Sequence, residues 1–361
     1  MTGLLREWKA MRNGMKEGAY PQFVTGDRVE GELPVFIYHS IPAHAFRSHL
    51  EHLRRNNYIF LDSAEVLARL ENASGFTDRE VLLTFDDGLC DLYTAAYPLL
   101  KQYGMKAVAF VAPHWIGRDG LITWPQAIEM HQSGSIDFQS HGFTHRRIPV
   151  SFRITDFIRP ALRTTRPWLL PMPEELFCGD SKPPWGTPLF QSSSCLSDAF
   201  QFLADPAWLR LCTETVERGG GRRFFRNPLW RRRLLKTAES FRSGISEGGR
   251  YETPNERNRR IRNELEQSKL SIERHLPGKN VTAFSYPFNE TGEAAEQTLR
   301  ELGYRLAFGG IGRPSSTADG SGFFRRISGD FVLRLPGKGR QRLGILVAAK
   351  AVNRIRFGHG Y

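Results

Sequence analysis

The sequence predicts an α/β protein in which parallel strands alternate with helices. Short apolar runs typical of buried strands recur along the chain, and most are followed by a stretch whose apolar residues have helical spacing. The clearest unit is Val81–Leu100, an apolar strand followed by a helix that starts near Asp91. Strands and helices that alternate in this way form a parallel sheet or barrel with right-handed crossovers.

The individual elements follow from the same two periodicities. Ser63 is a plausible N-cap for the helix that follows it, and Leu50 and Leu53 share one face of the helix before it. The predicted strands are Leu33–Ile41, Val81–Leu83, Lys106–Ala112, Ser135–Ser140, Val281–Tyr286 and Tyr304–Phe308. The predicted helices are Phe46–Asn56, Ala64–Leu70, Asp91–Leu100, Trp124–Ser133, Glu256–Leu276 and Glu293–Leu302.

The pattern divides the chain into five parts. Between residues 148 and 255, prolines and short apolar clusters alternate without a clear period, which indicates an insertion that forms a lid or a substrate-shaping subdomain. The predicted parts are an N-terminal extension (1–32), the two halves of the α/β body (33–147 and 256–330), this insertion, and a basic C-terminal helix (331–361).

Composition limits the class of protein. With 361 residues and 40% hydrophobic residues, the chain can bury a large core, and its net charge of +12 favours an anionic partner. The four cysteines have no CxxC spacing, which disfavours a zinc ribbon or a redox motif. No stretch approaches the ~20 apolar residues of a membrane-spanning helix, and the first residues lack the pattern of a secretory signal. We therefore expect a cytoplasmic protein, with membrane association left open by a short basic amphipathic helix near the N-terminus.

Two carboxylates follow the strand Val81–Leu83, in the segment Thr84–Gly88 (TFDDG). Ligands and catalytic groups collect at the carboxyl ends of parallel strands, and adjacent carboxylates need a cation or a shared proton. The alternative is an Asp-Asp-Gly turn that caps the next helix.

A second constellation, His141–His145 (HGFTH), follows another predicted strand. Each histidine alone is more often structural or solvated. Two histidines four residues apart can face one ion, and with one carboxylate they form a His-His-Asp set that leaves positions open for water and substrate. The two motifs together favour a metal site.

These motifs resemble those of the polysaccharide deacetylase (NodB-homology) superfamily. A third segment, Phe284–Asn289 (FSYPFN), resembles that family's Phe-x-Tyr-Pro-(Phe/Tyr)-Gly variant. The resemblance covers about residues 33–147 and 256–312 and implies a distorted (β/α)7-type barrel with a large irregular insertion.

Carried over to this chain, the resemblance implies a divalent metal held by Asp87, His141 and His145. Zinc is the expected ion, although cobalt, nickel or manganese would also fit this ligand set. Asp86 would be the general base that activates water. The N–H of Phe288 would stabilise the oxyanion.

Tyr286 and Phe288 would also line the sugar site, and Trp115 would either stack on a sugar ring or pack at the rim. For the general acid, His39 is the candidate, because the strand end Ile37–Ser40 (IYHS) resembles circularly permuted members of the family; the alternative is a core histidine at the strand end. Asn289 stands where the family has Gly, and the Arg that often opens the third motif and orients the base is absent.

A basic and aromatic segment, Gly221–Arg233, holds six arginines and no acid. Such a segment would suit an anionic membrane, a phosphate-bearing glycan carrier or nucleic acid. The alternative is a basic face that only contacts solvent. The expected function is a metal-dependent N-deacetylase acting on an N-acetylated sugar, a nucleotide-sugar or a lipid-linked glycan in surface polysaccharide or glycolipid biosynthesis. The alternatives are a non-catalytic glycan-binding or scaffold protein on a degenerate barrel and, with charge alone behind it, a nucleic-acid-binding protein.

Overall fold

The computed structural model describes residues 13–15, 18, 20–26, 31–160, 162, 170, 183–244, 248–318 and 320–348. The chain divides into two compact units, which are treated separately below. The first comprises residues 1–143, 266–289 and 299–361, and the second comprises residues 144–265 and 290–298. The sequence-based insertion was drawn from 148 to 255, so it lies inside the second unit.

The β-strands are, in chain order, β1 (Val35–Tyr38), β2 (Ile59–Phe60), β3 (Glu80–Asp86), β4 (Ala107–Val111), β5 (Ile136–Ser140), β6 (Arg147–Phe157), β7 (Pro188–Ser194), β8 (Phe202–Ala204), β9 (Gly249–Tyr251), β10 (Ala283–Ser285), β11 (Leu306–Gly309), β12 (Ser316–Ala318), β13 (Ser321–Arg325) and β14 (Ile327–Ser328).

The α-helices are α1 (Gln22–Thr25), α2 (Ala43–Arg55), α3 (Ser63–Glu71), α4 (Tyr97–Tyr103), α5 (Trp124–Gln132), α6 (Pro206–Arg218), α7 (Trp230–Gly244), α8 (Pro254–His275) and α9 (Glu293–Glu301). A π-helical turn at Leu92–Ala96 leads into α4, and short 3-10 turns lie at Pro113–Trp115, Gly221–Arg226, Pro287–Asn289 and Gly329–Arg334. Among the described residues, no helix is long and apolar enough to cross a membrane.

The first unit is a barrel that closes at its last strand. The sheet order is β12-β13-β11-β10-β5-β4-β3-β1-β14, with β2 paired to β3 outside this path. Arg326 alone separates β13, which pairs with β11, from β14, which pairs with β1. Counted as one strand, β13 and β14 therefore join the two ends of the sheet and complete a ring of seven parallel strands. This confirms the predicted (β/α)7-type barrel.

Apolar side chains fill this barrel. All seven residues of β3 are buried, as expected for a parallel strand covered on both faces. A continuous cluster joins β1, β3, β4, β10 and β11 through Val35, Leu82, Phe110, Ala283 and Phe308. Strand β3 is thus fixed from both sides, and the residues at its carboxyl end have a rigid base.

The second unit has more regular structure than its sequence indicated. Strands β6 and β7 form an antiparallel pair with two register shifts, and β8 pairs antiparallel with β9. Helices α6 and α7 pack in an aromatic core that contains Phe190, Phe202, Trp208, Phe224 and Leu234. The expectation of a segment without clear period was wrong for these helices, because prolines and arginines interrupt their apolar stripes in the sequence.

Several other predicted elements of the fold differ from the structure. Asp62, not Ser63, is the N-cap of α3: its side chain accepts the N–H of Glu65, and the Glu65 side chain accepts the N–H of Asp62. The strands β12 to β14 were not predicted at all. The predicted C-terminal helix (331–361) is wrong in its first part, because residues 329–334 form a 3-10 turn and residues 335–342 are irregular. Residues 343–348 are helical, and the rest after 348 lies outside the described residues, as does most of the proposed N-terminal helix.

A buried polar group joins β1 to α2. The hydroxyl of Tyr38 and Nδ1 of His49 form a hydrogen bond of 3.0 Å, and both side chains are almost fully buried. Burial lowers the pKa of His49 to about 4, although Asp330 acts in the opposite direction. The folded state therefore holds His49 neutral at neutral pH.

This burial predicts a loss of stability in mild acid. Unfolded His49 has an ordinary pKa near 6.5, so the unfolded chain binds more protons between pH 6.5 and 4, and folding weakens as pH falls through that window. We expect the unfolding free energy to lose about 2 kcal/mol from this group between pH 7 and pH 5. His49→Gln, which cannot titrate, should show a correspondingly smaller loss in urea unfolding at the two pH values. An equal loss in both proteins would contradict the assignment.

Candidate metal centre

The Asp-Asp turn lies where β3 ends. Asp86 is the last residue of the strand, and Asp87 and Gly88 both have left-handed backbone conformations, with φ of 70° and 71°. A side chain at Gly88 would lie 3.1 Å from Val111, so this position needs glycine for space as well as conformation. In a non-glycine residue such as Asp87, this left-handed conformation carries backbone strain, which is typical of functional sites.

His141 follows the last residue of β5. Its backbone N–H donates to the carbonyl of Val111 on β4 (2.9 Å), and its ring Nδ1 donates to the carbonyl of Ser285 on β10 (2.8 Å). The proton on Nδ1 leaves Nε2 as the atom with a lone pair. That Nε2 lies 3.5 Å from a carboxylate oxygen of Asp86 and 3.8 Å from one of Asp87.

Asp87, His141 and His145 form a group that can hold a metal ion. One donor atom from each residue lies within 4.8 Å of the others, and all three side chains are buried. Two imidazoles and one carboxylate form a donor set that suits zinc and leaves positions open for water or substrate. The fixed Nδ1–H of His141 orients the ring in the way that metal-binding histidines require. The residues present therefore fit the predicted ion.

A buried glutamate on α8 holds the backbone around His145. One carboxylate oxygen of Glu264 accepts the N–H groups of Thr144 (2.6 Å) and His145 (3.2 Å), and the other accepts the Thr144 hydroxyl (2.8 Å). His145 has φ of 49°, a strained value for this residue. Glu264 thus stabilises the conformation that presents the second histidine.

Asp86 is paired with Arg326 from the closing strand segment. Two guanidinium nitrogens lie 2.6 and 2.7 Å from the two carboxylate oxygens, and both side chains are buried (1% and 2% exposed). Arg326 also donates to the hydroxyls of Thr84 (3.2 Å) and Ser285 (2.7 Å). Burial on its own would raise the pKa of Asp86, but the positive charge and the hydrogen bonds of Arg326 hold this pKa well below its usual range. Asp86 is therefore ionised at every physiological pH.

Arg326 is the residue that sequence reasoning missed. The arginine expected to orient the base is absent from the third motif, and the closing strand supplies one instead. Its neighbour Arg325 points to the opposite side and pairs with Glu32 (2.7 and 3.0 Å), as alternation along a strand requires. The only signal in the sequence is this arginine pair between Phe324 and Ile327, which is as typical of an exposed strand end as of a site.

His39 follows β1 and interacts electrostatically with Asp86 and Asp87. Burial lowers the pKa of His39, while the negative charges of Asp87 and Asp86 act to raise it. The next two residues are fixed by Asp91, whose carboxylate accepts the Ser40 hydroxyl (2.5 Å) and the N–H of Ile41 (3.1 Å). The structure thus brings His39 near both aspartates, and its role as an acid stays a prediction.

The third motif forms a tight turn at the end of β10. Phe288 and Asn289 both have left-handed conformations, with φ of 60° and 56°. Asparagine adopts this conformation more readily than most residues, so Asn289 replaces glycine without changing the turn. The ring of Tyr286 is buried and packs on Phe284 and Phe323, while Phe288 is partly exposed.

The proposed stacking role of Trp115 needs correction. Its side chain is only 3% exposed, and the Arg118 guanidinium lies 4.9 Å above its ring. His114 packs edge-on against the same indole. Trp115 therefore offers no open face to a sugar, and the packing alternative describes it better.

Comparison with known proteins agrees with these motifs. A family model described as polysaccharide deacetylase matches residues 73–164, a range that contains both the Asp-Asp turn and the histidine pair. This part of the chain is therefore similar to the polysaccharide deacetylase family. One relative is YxkH of Bacillus subtilis (strain 168), whose name places it among the polysaccharide deacetylases; it is 35% identical over 147 residues, 38% of this chain and 52% of that protein.

A second relative is the poly-β-1,6-N-acetyl-D-glucosamine N-deacetylase of Staphylococcus epidermidis. It is 31% identical over 108 residues, 28% of this chain and 37% of that protein. The chain thus spans about half or less of the length of these curated relatives. A solved de-N-acetylase from Aggregatibacter actinomycetemcomitans matches 82% of this chain and 95% of its own, with a TM-score of 0.53 and 18% identity, and so supports the fold.

The contacts of Glu264 predict a measurable effect on metal binding. Glu264→Gln removes the charge that accepts the two backbone N–H groups of the His145 turn, so zinc affinity should fall about 10- to 100-fold. The matched control is Glu266→Gln on the same helix, which should bind zinc as the parent protein does. Competition with a chromophoric chelator measures both affinities, and equal values for the two variants would show that Glu264 does not support the ligand.

Proposed function

We propose that the protein is a metal-dependent hydrolase that removes the N-acetyl group from a sugar or glycan. The observation that carries this proposal is the arrangement of Asp87, His141 and His145 as one donor set beside a buried, ionised Asp86. A site that only held a structural ion would not need a second, separately clamped carboxylate at the same strand end.

When bound, a divalent ion would polarise the acetyl carbonyl and lower the pKa of a water molecule. We assign the acceptance of a proton from that water to Asp86, whose carboxylate lies 3.5 Å from Nε2 of His141, one of the three residues that would hold the ion. Arg326 keeps the carboxylate in one orientation through two short hydrogen bonds. The strong pairing lowers the basicity of Asp86, so its contribution is positioned proton transfer rather than a high pKa.

The leaving amine needs a proton, and we assign its donation to His39. Burial lowers the pKa of His39, and the negative charges of Asp87 and Asp86 oppose this effect only in part. The backbone N–H of Phe288, in its left-handed turn, is the proposed donor to the oxyanion of the tetrahedral intermediate. Tyr286 and Phe288 are proposed to border the sugar.

For the substrate we propose an N-acetylated glycan. The Staphylococcus epidermidis relative is named for poly-β-1,6-N-acetyl-D-glucosamine, and a polymer of N-acetylated hexosamine is therefore the first substrate to test. Nucleotide-sugars and lipid-linked glycans are further candidates, since the net charge of +12 favours phosphate-bearing substrates. A role in surface polysaccharide or glycolipid biosynthesis and the cytoplasmic location expected from the sequence remain predictions.

Release of acetate from N-acetylglucosamine oligomers tests the reaction. We expect activity to disappear with a chelator and to return with zinc, because the donor set supplies the carbonyl-polarising ion. Asp87→Asn should lower kcat/KM at least 100-fold, whereas Asp119→Asn, an exposed aspartate outside the cluster, should leave it unchanged. Full activity of the Asp87 variant would refute the mechanism, and glycan binding without any acetate release would indicate the scaffold alternative.

The assignment of His39 predicts a dependence on the leaving group. His39→Gln should lower kcat on an N-acetylated sugar about 100-fold with little change in KM, because the amine then leaves without general-acid assistance. The same variant should hydrolyse 4-nitrophenyl acetate almost as fast as the parent, since nitrophenolate leaves without a proton. An equal loss on the amide and the ester would mean that His39 acts on structure rather than as an acid.

A further inference from the structure

The second unit carries a surface whose chemistry the proposed reaction does not use. It is formed by the turn Gly221–Arg226 and the start of α7, here called the basic turn (residues 221–233), together with Trp185. The two parts are neighbours at Gly221, where an added side chain would lie 3.8 Å from the Trp185 ring. The exposed basic side chains of this surface are Arg222, Arg223, Arg226, Arg231, Arg232 and Arg233.

This surface has almost no compensating negative charge. Among the described residues, an ion pair forms only at Arg231, with Asp156 (3.3 Å). The described part of the chain places no carboxylate within ion-pair distance of Arg222, Arg223, Arg226 or Arg232. Unneutralised cations held together on one turn repel each other, and an anionic surface relieves that repulsion.

Apolar side chains are exposed beside these arginines. Leu229 is 57% exposed and Trp185 is 41% exposed. Both side chains are apolar enough to be buried when this surface meets a partner. The turn beneath them is rigid, because Phe224 is buried and the rings of Phe225 and Trp230 pack 5.3 Å apart. The aromatic residues that hold the turn thus point inward, while Leu229 and Trp185 remain outside.

From this combination we propose that the basic turn and Trp185 dock the second unit on an anionic lipid membrane. Arginines would lie at the level of the lipid phosphates, and Leu229 and Trp185 would enter the boundary between headgroups and acyl chains. Nucleic acid fits less well. Stacking of successive bases needs several exposed aromatic rings, whereas Trp185 is the one exposed aromatic residue described on this surface and Leu229, its most exposed apolar residue, is aliphatic.

Vesicle binding tests this proposal with the full chain. The protein should co-sediment with vesicles that contain phosphatidylglycerol, should not bind vesicles of phosphatidylcholine alone, and should dissociate as salt is raised. Neutralising three arginines with Arg222→Gln, Arg223→Gln and Arg226→Gln should weaken partitioning about 100-fold, at roughly fivefold for each charge. The matched control removes the same charge from exposed arginines outside the basic turn, with Arg210→Gln, Arg259→Gln and Arg274→Gln, and should bind nearly as the parent does.

The apolar part of the surface separates a membrane from other polyanions. Leu229→Ser with Trp185→Ser should weaken binding to phosphatidylglycerol vesicles at least tenfold and leave binding to heparin or single-stranded DNA unchanged. Equal loss in the two arginine triples, no effect of the Leu229 and Trp185 pair, or no binding to anionic vesicles at low salt would each overturn the proposal. Circular dichroism shows whether each variant is folded, and acetate release from a soluble oligomer should stay at the parental rate throughout.

Discussion

The buried ion pair between Arg326 and Asp86 is the interaction on which the rest of the site depends. It joins residues 240 positions apart, and it does so at the point where the seven-stranded ring closes. Breaking a buried pair of this kind by removing one partner costs roughly 3–5 kcal/mol. The same two hydrogen bonds therefore hold the barrel together and keep one carboxylate ionised and oriented beside the metal donors.

Each remaining site residue is fixed by a different neighbour. His141 is oriented by a carbonyl on β10, the His145 turn by Glu264 and the segment after His39 by Asp91. None of these supports lies in the motif that it stabilises. The constellation is thus rigid because several strands and a helix each contribute one hydrogen-bonding group, which is the arrangement expected where reacting groups must be held within fractions of an ångström.

The sequence was sufficient for the parts that depend on local pattern. Alternation of strands and helices predicts a parallel sheet or barrel, and the family resemblance narrows this to a (β/α)7-type barrel. The Asp-Asp turn and the His141/His145 pair follow from strand ends that carry polar residues, and the structure brings these donors together. Arg326 and Glu264 could not be found in this way, because each acts across a long separation and looks like an ordinary charged residue. Trp115 shows the opposite error, since an aromatic residue near a site looks the same in sequence whether it is exposed or buried.

Because the ring closes at β13 and β14, its closure must come after the earlier strands have been synthesised. A chain that has emerged only to residue 320 already contains Asp86 and the three candidate metal donors, but it lacks Arg326 and the last part of the strand that closes the ring. Contacts of such long range form late, because the intervening chain must first lose its freedom. A nascent or truncated product therefore lacks a complete site however well its earlier strands pair. The clamp on Asp86 therefore forms only after the segment that contains Arg326 has been made.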